Sequence, residues 1–278
     1  MTENEIHVLF IGDIVGRPGR NTVAEYLNKL RTNQTSYDSD IKSSDMPDFI
    51  IANVENASHG FGLTQKNHDE FREMGIHAFT SGNHIWDKKE IFNYIDQSDR
   101  LIRPLNYPQD VPGVGSRVFD VNGVSIGVIN LLGRVFMTPI DSPWAALEQE
   151  VKKIKEITPI IILDFHAEAT AEKIAMGHFA NSLGVSAVIG THTHVQTADE
   201  KILNNGCAYI TDAGFCGSSE GVIGMDIESS IKRLKTSLPE KFDIVSSGNT
   251  ELNAVKIVID IKTGKAQHIE RIKYYTSF

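Results

Sequence analysis

His192 and His194 stand two residues apart, directly after the apolar run 185–190. If that run is a buried strand, its end is a bend where both imidazoles converge on one point outside a sheet, which is how metal sites are built. Other apolar runs stop on residues of the same kind. Run 6–11 leads into Asp13, 48–54 into Glu55 and Asn56, 76–80 into Asn83 and His84, and 159–165 into His166. The set mixes imidazole, carboxylate and amide oxygen and has no thiolate. Such donors suit Mn, Fe or Zn, whereas oxygen alone would indicate Mg or Ca and cysteines a structural zinc. Asp13, Glu55, Asn56, Asn83, His166, His192 and His194 are too many ligands for one ion and fit two if one carboxylate bridges. Two ions roughly 3.5 to 4 Å apart polarise a phosphoryl group and generate hydroxide near neutral pH, so phosphoester hydrolysis is the chemistry indicated.

Each residue alone has a plainer reading. Asp13 would cap the next helix, Glu55-Asn56 would be a solvated loop pair, Asn83 would take φ > 0 in a turn, and His166 would be a satisfied core histidine. Their shared topological position is what favours a site. Among the flanking residues, His59 in a glycine-rich loop is a candidate to approach substrate. Glu168, Thr170 and Gln196 are candidates to fix imidazole orientation. Arg17 and Arg20 read as helix cations facing solvent rather than phosphate ligands, and Asp212 reads as a turn residue. The remaining histidines, His7, His68, His77, His178 and His268, read as structural.

The elements that must position this set follow from periodicity. Strands are expected at 6–11, 48–54 and 76–80, alternating with helices at 22–30, 64–74 (capped by Thr64) and 87–95. Three β-loop-α units in a row imply a parallel sheet whose strand-end loops share one edge. The middle changes character: 117–121, Asn122-Gly123 and 124–131 form a hairpin signal. Helices at 143–157 and 169–182 then flank strands 159–165 and 185–190. A second hairpin turns at Asn205-Gly206, a helix is expected at 226–234, and late strands lie at 253–261 and 267–274. Parallel units in front and hairpins behind predict one α/β domain over 1–278, with two mixed sheets packed face to face and helices outside. A polar segment at about 32–47 reads as a surface insertion.

With 278 residues the chain can bury a substantial core. A formal charge of −9 argues against an extended nucleic-acid interface, because such surfaces collect Lys and Arg. No apolar run approaches the roughly 18 residues of a membrane span. The start, Met1-Thr2-Glu3-Asn4-Glu5, is acidic where an export signal would be basic. Cys207 and Cys216 form neither a C-x-x-C pair nor a disulfide framework and read as buried spectators, so a reduced cytoplasm is expected. A homo-oligomer is compatible with the sequence.

The segments Gly12-Asp13-Ile14-Val15-Gly16, Glu55-Asn56-Ala57-Ser58-His59-Gly60, Gly82-Asn83-His84-Ile85-Trp86-Asp87, Asp164-Phe165-His166-Ala167-Glu168 and Gly190-Thr191-His192-Thr193-His194 occur in this order. In that order they resemble the calcineurin-like metallophosphoesterase superfamily, and within it the YmdB-like family, over nearly the whole chain. The resemblance implies a four-layer α/β/β/α sandwich and a dinuclear site, often described with iron, that hydrolyses small phosphodiesters such as 2′,3′- or 3′,5′-cyclic mononucleotides. By position it implies that Glu55 bridges, with Asp13, Asn56 and His194 on one ion and Asn83, His166 and His192 on the other. His84 would donate a proton to the leaving oxygen. Two positions depart from the broader superfamily: Val15 stands where a histidine is usual, and Glu55 where an aspartate is. An alternative reading is a regulatory protein that senses a nucleotide through its metal site, with hydrolysis incidental; an amidohydrolase, which also uses His-x-His, ranks last because here that motif comes late, after hairpins.

Overall fold

In the computed structural model, which describes residues 4–32, 46–241 and 243–277, two mixed sheets lie at the centre. Most of the polar segment expected at 32–47 falls outside the described residues. The first sheet is built on β1 (Glu5–Ile11), β3 (Phe49–Asn53) and β4 (Ala78–Thr80), which are parallel. Long β12 (Asn249–Asp260) runs antiparallel to β1, and β13 (Ala266–Ser277) pairs with β12. Short β11 (Phe215–Ser218) joins β12 to β2 (Asp13–Ile14). The second sheet contains β5 (Ser116–Val121), β6 (Val124–Leu132), β7 (Ile161–His166), β8 (Ala187–Thr191), β9 (Lys201–Ile202) and β10 (Ala208–Ile210), in the order β5-β6-β7-β8-β10-β9. Its β6, β7, β8 and β10 are parallel, and hairpin partners close both edges.

Alternation along the strands sorts the core into layers. In β1, Val8 and Phe10 pack between the sheets, while Leu9 and Ile11 pack outward with Val23, Leu27 and Phe71. Those partners lie on α1 (Gly16–Thr32) and α2 (Gln65–Glu73). In the second sheet, Ile160 and Ile162 face the sandwich interior. Ile161 and Leu163 face outward onto Leu147 and Met176 of α3 (Pro143–Ile154) and α4 (Thr170–Ser182). The result is the expected α/β/β/α order of four layers.

Local chemistry accounts for the boundaries. Thr64 caps α2 by accepting from the Asn67 N–H. Asn122 and Gly123, at φ +53° and +85°, make the tight turn joining β5 to β6. The first helix starts at Gly16 rather than near Thr22, because Pro18 fits a first helical turn. The helix expected at 87–95 is instead two 3₁₀ turns, Lys89–Asn93 and Ile95–Gln97. Ile91, Tyr94 and Ile95 are buried as helical spacing requires. However, Tyr94 sits at φ −136°, its hydroxyl donates to the Leu63 carbonyl, and the chain must deliver Leu101 beside Phe79. No helix among the described residues is long and apolar enough to cross a membrane.

Candidate metal centre

Loops at the carboxyl ends of strands from both sheets meet over one edge of the sandwich, where open α/β sheets bind ligands. Asp13 follows β1, Glu55 and Asn56 follow β3, Asn83 and His84 follow β4, His166 ends β7, and His192 and His194 follow β8. Glu55 Oε1 lies 3.1 Å from His166 Nε2, and Glu55 Oε2 accepts the His84 N–H at 2.9 Å. The His192 N–H donates to Asp13 Oδ2 at 3.1 Å, and His192 Nδ1 is 3.0 Å from His166 Nε2. On the other side of Glu55, Asn56 Nδ2 lies 3.1 Å from Glu55 Oε1 and 3.1 Å from His194 Nε2. Glu55, His166 and His192 each present one donor atom within 4.8 Å of the others. Thus all eight sequence-selected residues share one region, and His192 and His194 face different neighbours in it.

A second layer of partners sets which ring nitrogen faces inward. Thr191 donates its hydroxyl to Asp164 Oδ1 at 2.6 Å, so its oxygen can accept from His166 Nδ1 at 2.9 Å. That makes Nδ1 of His166 a donor to Thr191 and turns Nε2 toward Glu55. Likewise His194 Nδ1 donates to the Ile223 carbonyl at 3.2 Å, and Glu168 Oε2 stands 3.1 Å from His192 Nε2. Asp87 Oδ2 sits 2.8 Å from His84 Nδ1. Asn53 Nδ2 donates to Asp164 Oδ2 at 3.0 Å and so ties β3 of one sheet to β7 of the other.

The electrostatics are those of a place short of positive charge. Burial drives the Asp13 carboxyl well above its usual range, and the nearby Glu55, Asp212 and Asp164 carboxylates add to this. Burial would also raise Glu55, but the His166 ring and the His84 N–H overcome it and hold that carboxyl low. Burial would lower His166, yet Glu55, Asp13 and Asp164 lift it to about 9. His192 falls to about 3 through burial and the adjacent His166 ring, and burial lowers His194 as well, so both offer neutral lone pairs at neutral pH. Asp13 Oδ1, Asn56 Oδ1 and Asn83 Oδ1 are buried without a hydrogen-bond partner. Orphaned buried oxygens call for a cation. A Cβ on Gly82 would come within 2.3 Å of His166 Nε2 and 2.4 Å of Glu55 Oε2, so glycine keeps the cradle open. Imidazole nitrogens, carboxylates and unpartnered amide oxygens converging around Gly82 fit a transition-metal ion.

Several flanking expectations are corrected. Asp212 is more than a turn residue: besides accepting the Gly214 N–H two residues on, it is fully buried, paired with buried Lys173 at 2.6 Å, and accepts from the N–H and hydroxyl of Thr193. Gln196 holds backbone rather than an imidazole, donating to the carbonyls of Ala213 and Ala254. Arg20 does not face solvent. It donates to Glu70 at 2.9 Å and to the Ala57 carbonyl at 2.6 Å, bracing the loop after β3 against α2. Thr170 opens α4 and is exposed. His59 is exposed at φ +60°, and its neighbours Gly60 and Phe61, rather than its own ring, line the cavity above the site. Asn53, Asp164, Thr191 and Lys173 escaped sequence reasoning as parts of the site. The available signal was a single polar residue interrupting an apolar strand, as Asp164 does after Ile160-Ile161-Ile162-Leu163.

The family model described as YmdB-like protein matches residues 9–272. The chain is 48% identical over 267 residues to a protein of Bacillus subtilis (strain 168) named 2′,3′-cyclic-nucleotide 2′-phosphodiesterase, covering 96% of each. Among solved structures, a phosphatase from Mycoplasma pneumoniae superposes with a TM-score of 0.88 at 34% identity, covering 99% of this chain and 95% of that one. A hypothetical protein from Thermus thermophilus superposes with a TM-score of 0.86 at 34% identity, covering 97% and 99%. Fold, strand-end residues and these whole-length matches agree, and the chain belongs to the YmdB-like protein family.

Proposed function

We propose that this protein is a metal-dependent phosphodiesterase acting on small phosphodiesters, with 2′,3′-cyclic mononucleotides its foremost substrates. The observation that carries the reading is the convergence of Glu55, His166 and His192 beside the unpartnered oxygens of Asp13, Asn56 and Asn83. The name of the B. subtilis relative favours the 2′,3′-cyclic class over the 3′,5′ one. Two ions are proposed, with Glu55 between them. Asp13, Asn56 and His194 would hold one, and Asn83, His166 and His192 the other. Iron is the proposed metal, with manganese or zinc as alternatives that the same donors accept. When bound, such a pair polarises the phosphoryl group and supplies a hydroxide nucleophile near neutral pH.

The chain's own residues do the rest. The His84 ring stands at the cavity edge, a third exposed, with Asp87 accepting from Nδ1. That contact fixes the ring and leaves Nε2 to pass a proton to the leaving ribose oxygen, a task suited to imidazole near neutral pH. Phe61 packs edge-on against the His84 ring at 4.9 Å and limits its swing. Glu168 turns His192 so that Nδ1 points to the cluster. The test is Glu55→Gln assayed on bis-p-nitrophenyl phosphate in the presence of metal. Activity should fall by about 100-fold or more while the circular dichroism spectrum is unchanged. Undiminished turnover in the folded variant would overturn the mechanism.

A further inference from the structure

The cavity over the centre encloses about 440 Å³, more than a phosphoryl group needs, and its two sides differ in chemistry. One side is the polar floor of Glu55, Asn56 and the histidines. The other is mainly apolar, made by Phe61, Val222, Ile223, Met225 and Leu234, with Ser230 and Arg233 set among them. Ligand pockets commonly pair broad apolar walls with a few placed polar groups.

The helix α5 (Ile227–Thr236) supplies such a group. It carries Ile227, Ile231 and Leu234 exposed at 46%, 55% and 79%, and buries Ser230, whose Oγ has no hydrogen-bond partner. A helix that exposes its aliphatic residues and buries an unpartnered hydroxyl among the residues lining a cavity is the reverse of an ordinary surface helix. The segment before it is tied to the centre. Ile223, a β-branched residue held at φ +49°, turns its carbonyl to His194 Nδ1, and the turn is closed by the pairing of Val222 with Met225. Such strain persists only where surrounding structure enforces it.

We propose that the wall of Phe61, Met225 and α5 is a nucleobase subsite in which Ser230 Oγ hydrogen-bonds an edge of the base. The inference rests on the phosphodiesterase reading for the orientation of the ligand, with phosphate on the polar floor and the base on the apolar wall. Stacking on an aromatic face is tolerant of base identity, so the subsite selects nucleosides over base-free diesters more than one base over another.

Calorimetric titration tests it independently of turnover. The wild-type protein should bind adenosine 3′-monophosphate at least about tenfold more tightly than methyl riboside 3-phosphate, which lacks the base. Ser230→Ala and Leu234→Asp, the second at an exposed position that spares the fold, should each shrink that ratio several-fold. Equal affinity for the two ligands in the wild type, or an unchanged ratio in both variants, overturns the subsite. Base preference without hydrolysis of any cyclic phosphodiester supports the subsite and removes the phosphodiesterase reading. Hydrolysis without base preference does the opposite.

Discussion

His192 and His194 carry the sharpest residue-scale question, because sequence spacing alone would assign both to one ion. Their backbones take φ of +103° and +64°, left-handed values uncommon for non-glycine residues, with Thr193 between them pinned by Asp212. The two rings therefore diverge. His192 presents Nδ1 toward His166, and His194 presents Nε2 toward Asn56. Under the proposed assignment, His192→Ala should release the ion held with Asn83 and His166, and His194→Ala the one held with Asp13 and Asn56. Elemental analysis of the purified variants should find about one metal equivalent of a two-metal site missing in each, and competition with a second metal should differ between them. Loss of the same single ion in both would show that one shared site exists. Val15, one of the two departures from the superfamily that the sequence resembles, is fully buried against Phe215 and Met225. It belongs to the packing beneath the loop, and Asn56 is the residue that faces His194.

At the scale of elements, what matters is how strand ends are fastened to the helices behind them. Lys173 on α4 reaches Asp212, beyond β10, and Asp212 in turn accepts from Thr193 and from the Gly214 N–H. One buried ion pair thus anchors the loop bearing both histidines. Removing one partner of such a pair strands a buried charge, which costs about 3 to 5 kcal/mol. Lys173→Met should therefore lower unfolding free energy by about 3 kcal/mol, the lower end because Asp212 keeps its other donors. Lys173→Met combined with Asp212→Asn should recover part of the loss. Urea unfolding midpoints check both, and a loss below about 0.5 kcal/mol would show the pair to be dispensable. Close backbone approach elsewhere has the same purpose: a Cβ on Gly190 would meet the Thr211 carbonyl oxygen at 1.8 Å, so only glycine lets β8 and the chain after β10 deliver their loops side by side.

The whole molecule brings the donors together from two sheets. Asp13, Glu55 and Asn83 come from the sheet of β1, β3 and β4, while His166, His192 and His194 come from that of β7 and β8. Asn53 and Asp164 cross-link the sheets directly beneath them. An ion bound there would bridge the two halves of the sandwich and bind the folded state alone. At about 100 times its dissociation constant such a ligand contributes about 2.7 kcal/mol. For a chain of this size, metal should raise the thermal midpoint by roughly 5 °C or more, and chelation should reverse the gain. In Glu55→Gln the metal-dependent increment should shrink, and the metal-free midpoint should also fall because buried His166 loses its charged partner. An unchanged wild-type midpoint across a manganese or ferrous titration would count against the centre.

Much of this was legible from local pattern. The near-continuous apolar runs 6–11 and 159–165 marked buried strands, Asn122-Gly123 marked a turn, and polar residues where apolar runs stop marked one edge of a sheet. These are properties of a few neighbouring residues and need no knowledge of distant ones. The fate of 87–95 was not legible, because helical spacing is also met by two 3₁₀ turns when Tyr94 and Leu101 are anchored elsewhere. Nor were the long-range partners of Asp212, Gln196 and Arg20, which lie between 17 and 76 residues away in the chain. The sequence by itself determined which residue types stand at the strand ends and hence the class of chemistry. Only the tertiary structure decided which of them face one another, which nitrogen each ring presents, and that α5 lines the cavity with Ser230, Arg233 and Leu234, because those follow from how two sheets and their loops pack in three dimensions.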